Sequence, residues 1–118
     1  MKIKVTKKEI MGAYNNVICV GYCDLAYLLR GTIEPKFYTC GVYGWNSDIY
    51  QVDNNTAICT GYRPFGNIYA SYKGLCSKYN EKAKKIWNNY DLDYKTQCKK
   101  VNKLLEKFIN ECLESKEV

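Results

Sequence analysis

The chain of 118 residues has the size of one domain, and its 47% hydrophobic content excludes intrinsic disorder. No apolar run reaches the length of a membrane span, and Met1–Val5 lacks the apolar core of a signal peptide. We therefore expect no membrane partner and a location in the cytoplasm. The net charge of +6 would suit an anionic partner. Lysine-rich helix faces are more often simply solvated, so nucleic acid is not the expected partner.

Seven cysteines and no histidine define the candidate metal ligands. No C-x-x-C pair occurs, and structural zinc sites usually present ligands at that short spacing. An odd cysteine count without a secretory signal also argues against a disulfide framework. We therefore predict no metal site and expect the thiols to act as small core residues. The cysteines are Cys19, Cys23, Cys40, Cys59, Cys76, Cys98 and Cys112.

Short helices and a buried strand are predicted at the N-terminal end. Thr6 and Glu9 have the spacing of a capping box, which predicts a helix to about Tyr14. Residues 17–20 are apolar and precede Gly21, which predicts a buried strand.

Asp24 is placed to cap a second short helix over Leu25–Leu29. That helix should end at Arg30 and Gly31, because glycine readily takes the left-handed conformation that closes a helix.

An antiparallel β-meander is predicted in the middle of the chain. Residues 36–43, 49–52 and 56–62 have the composition of strands. Residues 44–48 and 53–55 are rich in Gly, Asn and Asp, which favours turns.

Two helices are predicted in the last third, over Tyr72–Tyr90 and from Tyr94 to about Cys112. Apolar residues of the second helix recur in strict steps of four and three, a heptad seam. This seam either covers one face of the sheet or also forms a dimer interface, and the pattern leaves both interpretations open. The expected fold is α+β in a single domain, with a small antiparallel sheet in residues 1–67 and a helical hairpin that mediates oligomerisation in residues 68–115.

Catalysis has little support in the sequence. Histidine, the usual general base near neutral pH, is absent. No phosphate-binding or dinucleotide fingerprint occurs, and a single carboxylate such as Asp24 near a turn is more often a cap than a catalyst. We expect no enzyme activity, no catalytic residue and no cofactor.

A binding loop is predicted at residues 60–67, directly after a strand. Only two of the eighteen basic residues are arginines, and Arg63 stands here beside Pro64 and between glycines. Its planar guanidinium suits bidentate contact with phosphate, although a salt bridge within the loop would also explain it. The neighbouring candidates for stacking or hydrogen bonding to a ligand are Tyr62, Phe65, Trp45, Asn46, Asp48, Thr60 and Asn67.

Arg30 is the other arginine and a candidate for a second phosphate site. A basic residue at a helix C-terminus also interacts favourably with the helix dipole, and this structural explanation is the better supported one. Trp45 is as well explained by packing at a hairpin corner as by contact with a ligand.

Three segments together carry a family resemblance: residues 21–25 (GYCDL), 43–50 (YGWNSDIY) and 60–67 (TGYRPFGN). They resemble the first-described anti-Thoeris (Thoeris anti-defence) proteins of bacteriophages over about residues 14–112. The resemblance implies a sponge in the host bacterial cytoplasm, which binds cyclic ADP-ribose isomers made by host immune enzymes without cleaving them. It also implies dimerising helices, larger assemblies such as a hexamer, and separate sites for cyclic oligonucleotides in some members.

The resemblance assigns the phosphate grip to Arg63 and the second kind of site to Arg30. Contacts from the helices would come from Trp87, Asn88 and Asn89. Family members use a further arginine late in the chain, and this sequence has none after Arg63. Lysine could replace it only without the bidentate geometry.

Two other functions remain open at this stage. One is a phage inhibitor that acts by protein–protein contact, as anti-CRISPR proteins do. The other is a small nucleic-acid-binding protein.

Overall fold

A computed structural model describes most of the chain. The described residues are 3–4, 9, 12–21, 23–30, 37–40, 46–61 and 72–115. Thr6 of the predicted capping box and the loop from Tyr62 to Asn67 lie outside them. Glu9, Gly12 and Ala13 are helical, in agreement with the predicted first helix.

The chain divides into two compact units. One comprises Met1–Cys23 and Pro35–Lys73, and the other comprises Asp24–Glu34 and Gly74–Val118. The prediction of a single domain with a boundary near residue 67 is not tested by this division. The division does add Asp24–Glu34 to the unit of the C-terminal helices.

The first unit holds a five-stranded sheet, which makes the fold α+β as predicted. Its strands are β1 (Ile3–Lys4), β2 (Asn16–Gly21), β3 (Phe37–Cys40), β4 (Asn46–Gln51) and β5 (Thr56–Gly61). Their order in space is β1-β3-β4-β5-β2. The consecutive strands β3, β4 and β5 pair antiparallel, which confirms the predicted meander.

The sheet is mixed, so the prediction of an antiparallel sheet is wrong at its two edges. Strand β1 pairs parallel with β3, and β2 pairs parallel with β5. Turn signals predict pairing only between strands that follow one another, whereas parallel neighbours are joined by long crossovers that leave no local signal. Strand β1 is also only two residues long.

Strand β4 begins earlier than predicted. Asn46, Ser47 and Asp48 were expected in a turn, yet their backbone belongs to β4. Asp48 lies opposite both Tyr38 of β3 and Thr60 of β5. Pairing on both sides outweighs the weak turn preference of these residues. The turn at 53–55 is confirmed, with the Asp53 carboxylate accepting a hydrogen bond from the Asn55 N–H at 2.7 Å.

Strands β2 and β5 are buried on both faces. Cys19 and Cys59 are register partners on one face, in a buried cluster completed by Tyr14, Val17, Ile49 and Ala57. Ile18 and Ile58, the adjacent pair, are also completely buried. The Cys19 side chain hydrogen-bonds Cys59, and this contact together with burial raises the pKa of the Cys59 thiol. The predicted core role of the cysteines is confirmed for Cys19, Cys59, Cys76 and Cys112, but Cys23 and Cys98 are only half-buried.

The second unit contains a short helix, α1 (Ala26–Leu29), and a hairpin of α2 (Lys73–Trp87) and α3 (Tyr94–Ser115). The Tyr79 ring packs edge-on against Phe108, with centroids 5.9 Å apart. The Tyr79 hydroxyl donates to the Glu111 carboxylate, and this hydrogen bond raises the pKa of Tyr79 to about 12. Among the described helices, none combines the length and hydropathy needed to cross a membrane.

Most of the heptad seam of α3 is buried within one chain. Of its six residues, Val101, Leu105, Phe108 and Cys112 are at most 4% exposed, whereas Cys98 is half-buried and Tyr94 is 64% exposed. A dimer built on the four buried residues would have to replace their packing inside the chain. If the helices mediate oligomerisation, they must use a surface other than these four residues.

The turn between α2 and α3 is held by polar side chains. Gln97 is buried, and its side-chain amide nitrogen lies 3.0–3.2 Å from the carbonyl oxygens of Ile86 and Trp87, in the last turn of α2, and of Asn89 beyond it. Because α2 ends at Trp87, Tyr90 is not part of its apolar stripe and is 90% exposed.

Removal of the Phe108 ring should destabilise the fold strongly. We expect Phe108→Ala to lower the free energy of unfolding by about 3–5 kcal/mol, the usual effect of emptying an aromatic core position. Urea denaturation followed by circular dichroism measures this loss. The exposed neighbour Asn110 provides the control, and Asn110→Ala should change stability by less than about 0.5 kcal/mol. Equal losses in the two variants would contradict the placement of the seam.

The cap of α3 should make stability depend on acid pH. The Asp93 carboxylate accepts a hydrogen bond from the Thr96 N–H at 2.8 Å. Hydrogen bonds from the Thr96 side chain and backbone, with the charge of Lys99, lower the pKa of Asp93. A lowered pKa in the folded state stabilises the fold above the pKa of the unfolded state, and this contribution is lost as pH falls through the folded value.

Thermal unfolding of Asp93→Asn between pH 6 and pH 2 tests this prediction. Asparagine keeps a capping oxygen but does not titrate, so the melting temperature of the variant should fall less over this range than that of the wild type. Parallel curves would show that Asp93 is not a source of the acid sensitivity.

Candidate functional site

A buried asparagine of α2 binds the first turn of the short helix α1. Asn80 of α2 is 5% exposed, and its side-chain oxygen accepts hydrogen bonds from the Tyr27 N–H at 2.9 Å and the Leu28 N–H at 3.1 Å. These are N–H groups of the first turn, which a helix cannot satisfy by itself. The predicted cap also contributes, because the Asp24 carboxylate accepts from the Ala26 N–H at 3.0 Å.

Trp87 binds the same segment through the carbonyl group of Tyr27. The indole Nε1–H donates to the Tyr27 carbonyl oxygen at 2.7 Å. Asn80 and Trp87 are seven residues apart, so they lie on one face of α2, two turns from each other. Tyr27 is therefore held through both its N–H and its carbonyl group. This attachment fixes the position of Arg30, three residues further along.

Three side chains form what we call the Arg30 cluster: Arg30, Trp87 and Tyr94. The guanidinium carbon of Arg30 lies 5.7 Å from the centroid of the Trp87 ring, within the range of a cation–π interaction. The Tyr94 ring lies 6.0 Å from that of Trp87, inclined by 30°. Trp87 is only 8% exposed, whereas Tyr94 is 64% exposed and Arg30 is also exposed.

The electrostatics of the cluster join the guanidinium to the phenol. A hydrogen bond with Cys98 raises the pKa of Tyr94, and the positive charge of Arg30 acts in the opposite direction. Lys84 adds positive charge nearby, with its ammonium 5.7 Å from the centroid of the Tyr27 ring. The exposed part of the cluster thus presents positive charge beside aromatic surface.

The structure brings together two residues that the sequence suggested separately. Arg30 was a second-site candidate and Trp87 a ligand contact, and they form one cation–π pair. Asn88, the next predicted residue, is exposed at the end of α2, where its N–H donates to the Lys84 carbonyl oxygen at 3.0 Å.

The other predicted site residues are only partly described. Thr60 is half-buried in β5, opposite Asp48 of β4, and Asn46 begins β4. The remaining predicted contacts lie outside the described residues: Trp45, Tyr62, Arg63, Phe65 and Asn67.

Sequence analysis missed the two buried amides that organise this unit. Asn80 interrupts the apolar face formed by Cys76, Ala83 and Trp87. Gln97 stands one helical turn before Val101 of the seam. A polar residue at an apolar position of a helical stripe is the signal that could have identified both, because a buried amide requires hydrogen-bond partners.

Over the part of the chain that the structure describes, no group of three or more Cys, Asp or Glu side chains is placed to hold a metal ion. The groups of the Arg30 cluster are suited to binding: a guanidinium pairs with phosphate or carboxylate, and an exposed ring stacks on a planar group.

Comparisons with protein-family models, with curated proteins and with solved structures found no match to this chain.

The attachment of α1 should depend on the acceptor oxygen of Asn80. Asn80→Leu removes it and leaves two N–H groups without their partner, which should lower the free energy of unfolding by about 1–3 kcal/mol. Asn80→Asp has nearly the same shape and keeps the acceptor, so it should retain more stability than Asn80→Leu at neutral pH. Urea denaturation of both variants gives the comparison. Asp as damaging as Leu would contradict the proposed role of the oxygen.

Proposed function

We propose that this protein is a phage anti-defence sponge, which binds a cyclic ADP-ribose isomer in the host cytoplasm and holds it without cleavage. The family resemblance of residues 21–25, 43–50 and 60–67 names this ligand class. The ligand carries phosphates, sugars and a planar base. A site for this ligand therefore requires positive charge and aromatic surface close together.

The observation that carries the proposal is the Arg30 cluster, which we assign to the cyclic ADP-ribose isomer itself and not to the second kind of site that the resemblance implies for Arg30. A guanidinium that leans on a tryptophan face is oriented before the ligand arrives, which reduces the entropy lost on binding. The exposed ring of Tyr94 lies beside it and offers a surface for a base. Phosphate and base can thus be recognised by neighbouring side chains of a single unit.

Sequestration requires slow release rather than turnover. A sponge that competes with a host receptor needs roughly nanomolar affinity, about −12 kcal/mol. Stacking on one ring contributes about 1–3 kcal/mol, so the Arg30 cluster alone is too small. The remaining affinity must come from further contacts, and the resemblance assigns one of them to Arg63. A second copy of the chain is another source of contacts, docked on a surface other than the buried part of the seam.

The planar guanidinium of Arg30 should matter more than its charge. We expect Arg30→Lys to weaken binding of the cyclic ADP-ribose isomer about tenfold, because lysine cannot make the bidentate contact. Isothermal titration calorimetry with the purified ligand measures the change. Lys85, an exposed lysine of α2, supplies the control, and Lys85→Gln should leave the affinity unchanged. Equal affinities of wild type and Arg30→Lys would remove Arg30 from the site.

The fate of the ligand separates a sponge from an enzyme. The protein is incubated with the cyclic ADP-ribose isomer made by a TIR-domain enzyme, freed of unbound ligand and then heated. Mass spectrometry should recover the intact cyclic molecule from the denatured sample. Recovery of a ring-opened product would overturn the proposal.

A further inference from the structure

Five lysines occupy one side of α3, and we call them the lysine stripe. Its members are Lys95, Lys99, Lys100, Lys103 and Lys107. At 100° per residue they fall within an arc of about 140°. The buried residues of the helix lie on the opposite side and none falls in this arc, which also contains Glu106 and Glu114.

The stripe opposes the stability of its own helix. Lys95, Lys99, Lys103 and Lys107 follow one another at intervals of four residues, and like charges at this spacing repel. Four of the five lysines lie in the N-terminal half of α3, whereas its acidic residues, Glu106, Glu111 and Glu114, all lie in the C-terminal half. At the two ends, Lys95 in the first turn and Glu114 in the last turn are the reverse of the charges that the helix dipole favours.

Intrachain ion pairs do not relieve this repulsion among the described residues. The ion pair between the two helices joins Lys78 to Glu111 at 3.8 Å and uses none of the stripe. Lys99 also acts on the carboxylate of Asp93 through its charge. Glu106 and Glu111 follow Lys103 and Lys107 at attractive spacings, but Lys95, Lys99 and Lys100 have no acidic residue three or four positions away on α3. A charge arrangement that is left partly uncompensated within the fold is expected at functional surfaces.

We propose that the lysine stripe is a binding face for the phosphate backbone of single-stranded nucleic acid. The stripe extends over about 18 Å from Lys95 to Lys107 on a rigid helix, which suits a linear polyanion better than a compact ligand. Tyr90, in the turn before α3, is 90% exposed at the N-terminal end of the stripe. Tyr94 lies about 100° outside the arc of lysines and belongs to the Arg30 cluster. An exposed ring at the end of a basic track can stack an unpaired base.

This face is distinct from the proposed cyclic nucleotide site in the residues that carry it. Capture of the cyclic ligand depends on Arg30 and Trp87, whereas binding of a strand depends on the lysines. Composition alone favoured a solvated lysine face. The placement of the charges against the helix dipole is the additional observation.

Fluorescence anisotropy with a labelled 20-nucleotide poly-dT strand, measured from 50 to 200 mM salt, tests the proposal. The wild-type protein should bind, with affinity that falls steeply with salt. The double variant Lys103→Gln/Lys107→Gln should bind more weakly and reduce the slope of log K against log salt by about 1.4, which corresponds to two fewer phosphate contacts. The control is the double variant Lys82→Gln/Lys85→Gln, which removes the same amount of charge from α2. Its slope of log K against log salt should stay closer to that of the wild type.

The same variants distinguish this proposal from the cyclic nucleotide site. Lys103→Gln/Lys107→Gln should bind the cyclic ADP-ribose isomer as the wild type does, and its melting temperature should not fall. The proposal is overturned if poly-dT does not bind at 50 mM salt, or if both double variants change the slope equally. It is also overturned if the protein binds vesicles of anionic phospholipid but not poly-dT.

Discussion

The second unit depends on the attachment of Tyr27 to helix α2. A helix of four residues is far too short to be stable by itself, because nucleation costs more than one turn of hydrogen bonds returns. Here the amide oxygen of Asn80 satisfies two of its N–H groups, and the indole of Trp87 binds the carbonyl group of Tyr27. Buried polar groups of this kind are stable only when they are satisfied together, so the side chains and the helix specify one arrangement.

That attachment positions Arg30 in the candidate site. Arg30 follows α1 directly, and its guanidinium meets the tryptophan that holds the helix in place. Trp87 thus has two roles, one through its N–H and the other through its ring face. Tyr94, at the start of α3, completes the cluster because Gln97 and Asp93 hold the turn that brings it close. The same polar contacts that stabilise the hairpin therefore set the geometry of the candidate site.

Sequence reasoning succeeded where the signal was local and periodic. The α+β class, the meander from β3 to β5 and both long helices could be predicted because turn residues and apolar spacing mark them directly. The parallel pairing of β2 with β5 could not be predicted, since strands 40 residues apart carry no shared local signal. Whether the heptad seam packs within one chain or forms an interface could not be predicted either. A buried stripe and an oligomer interface have the same sequence pattern, and only packing decides that Phe108 is covered within one chain.

The candidate site was predictable in its parts but not in its assembly. Arg30 attracted attention through its rarity and Trp87 through the resemblance, yet no spacing rule places two residues 57 positions apart in contact. Asn80 was overlooked because an asparagine in a helix is ordinarily taken for an exposed residue. Its burial is explained only by the hydrogen bonds that its side-chain oxygen accepts from N–H groups of α1.

An NMR titration of the protein with the cyclic ADP-ribose isomer tests whether the Arg30 cluster is the binding site. We expect saturable changes in the Trp87 indole N–H and the Tyr94 ring resonances, complete at one ligand per chain. The ring resonances of Tyr79, which packs on Phe108 within the hairpin, should remain in place. Saturation of other resonances while those of Trp87 and Tyr94 stay unchanged would contradict the assignment of the site to the Arg30 cluster.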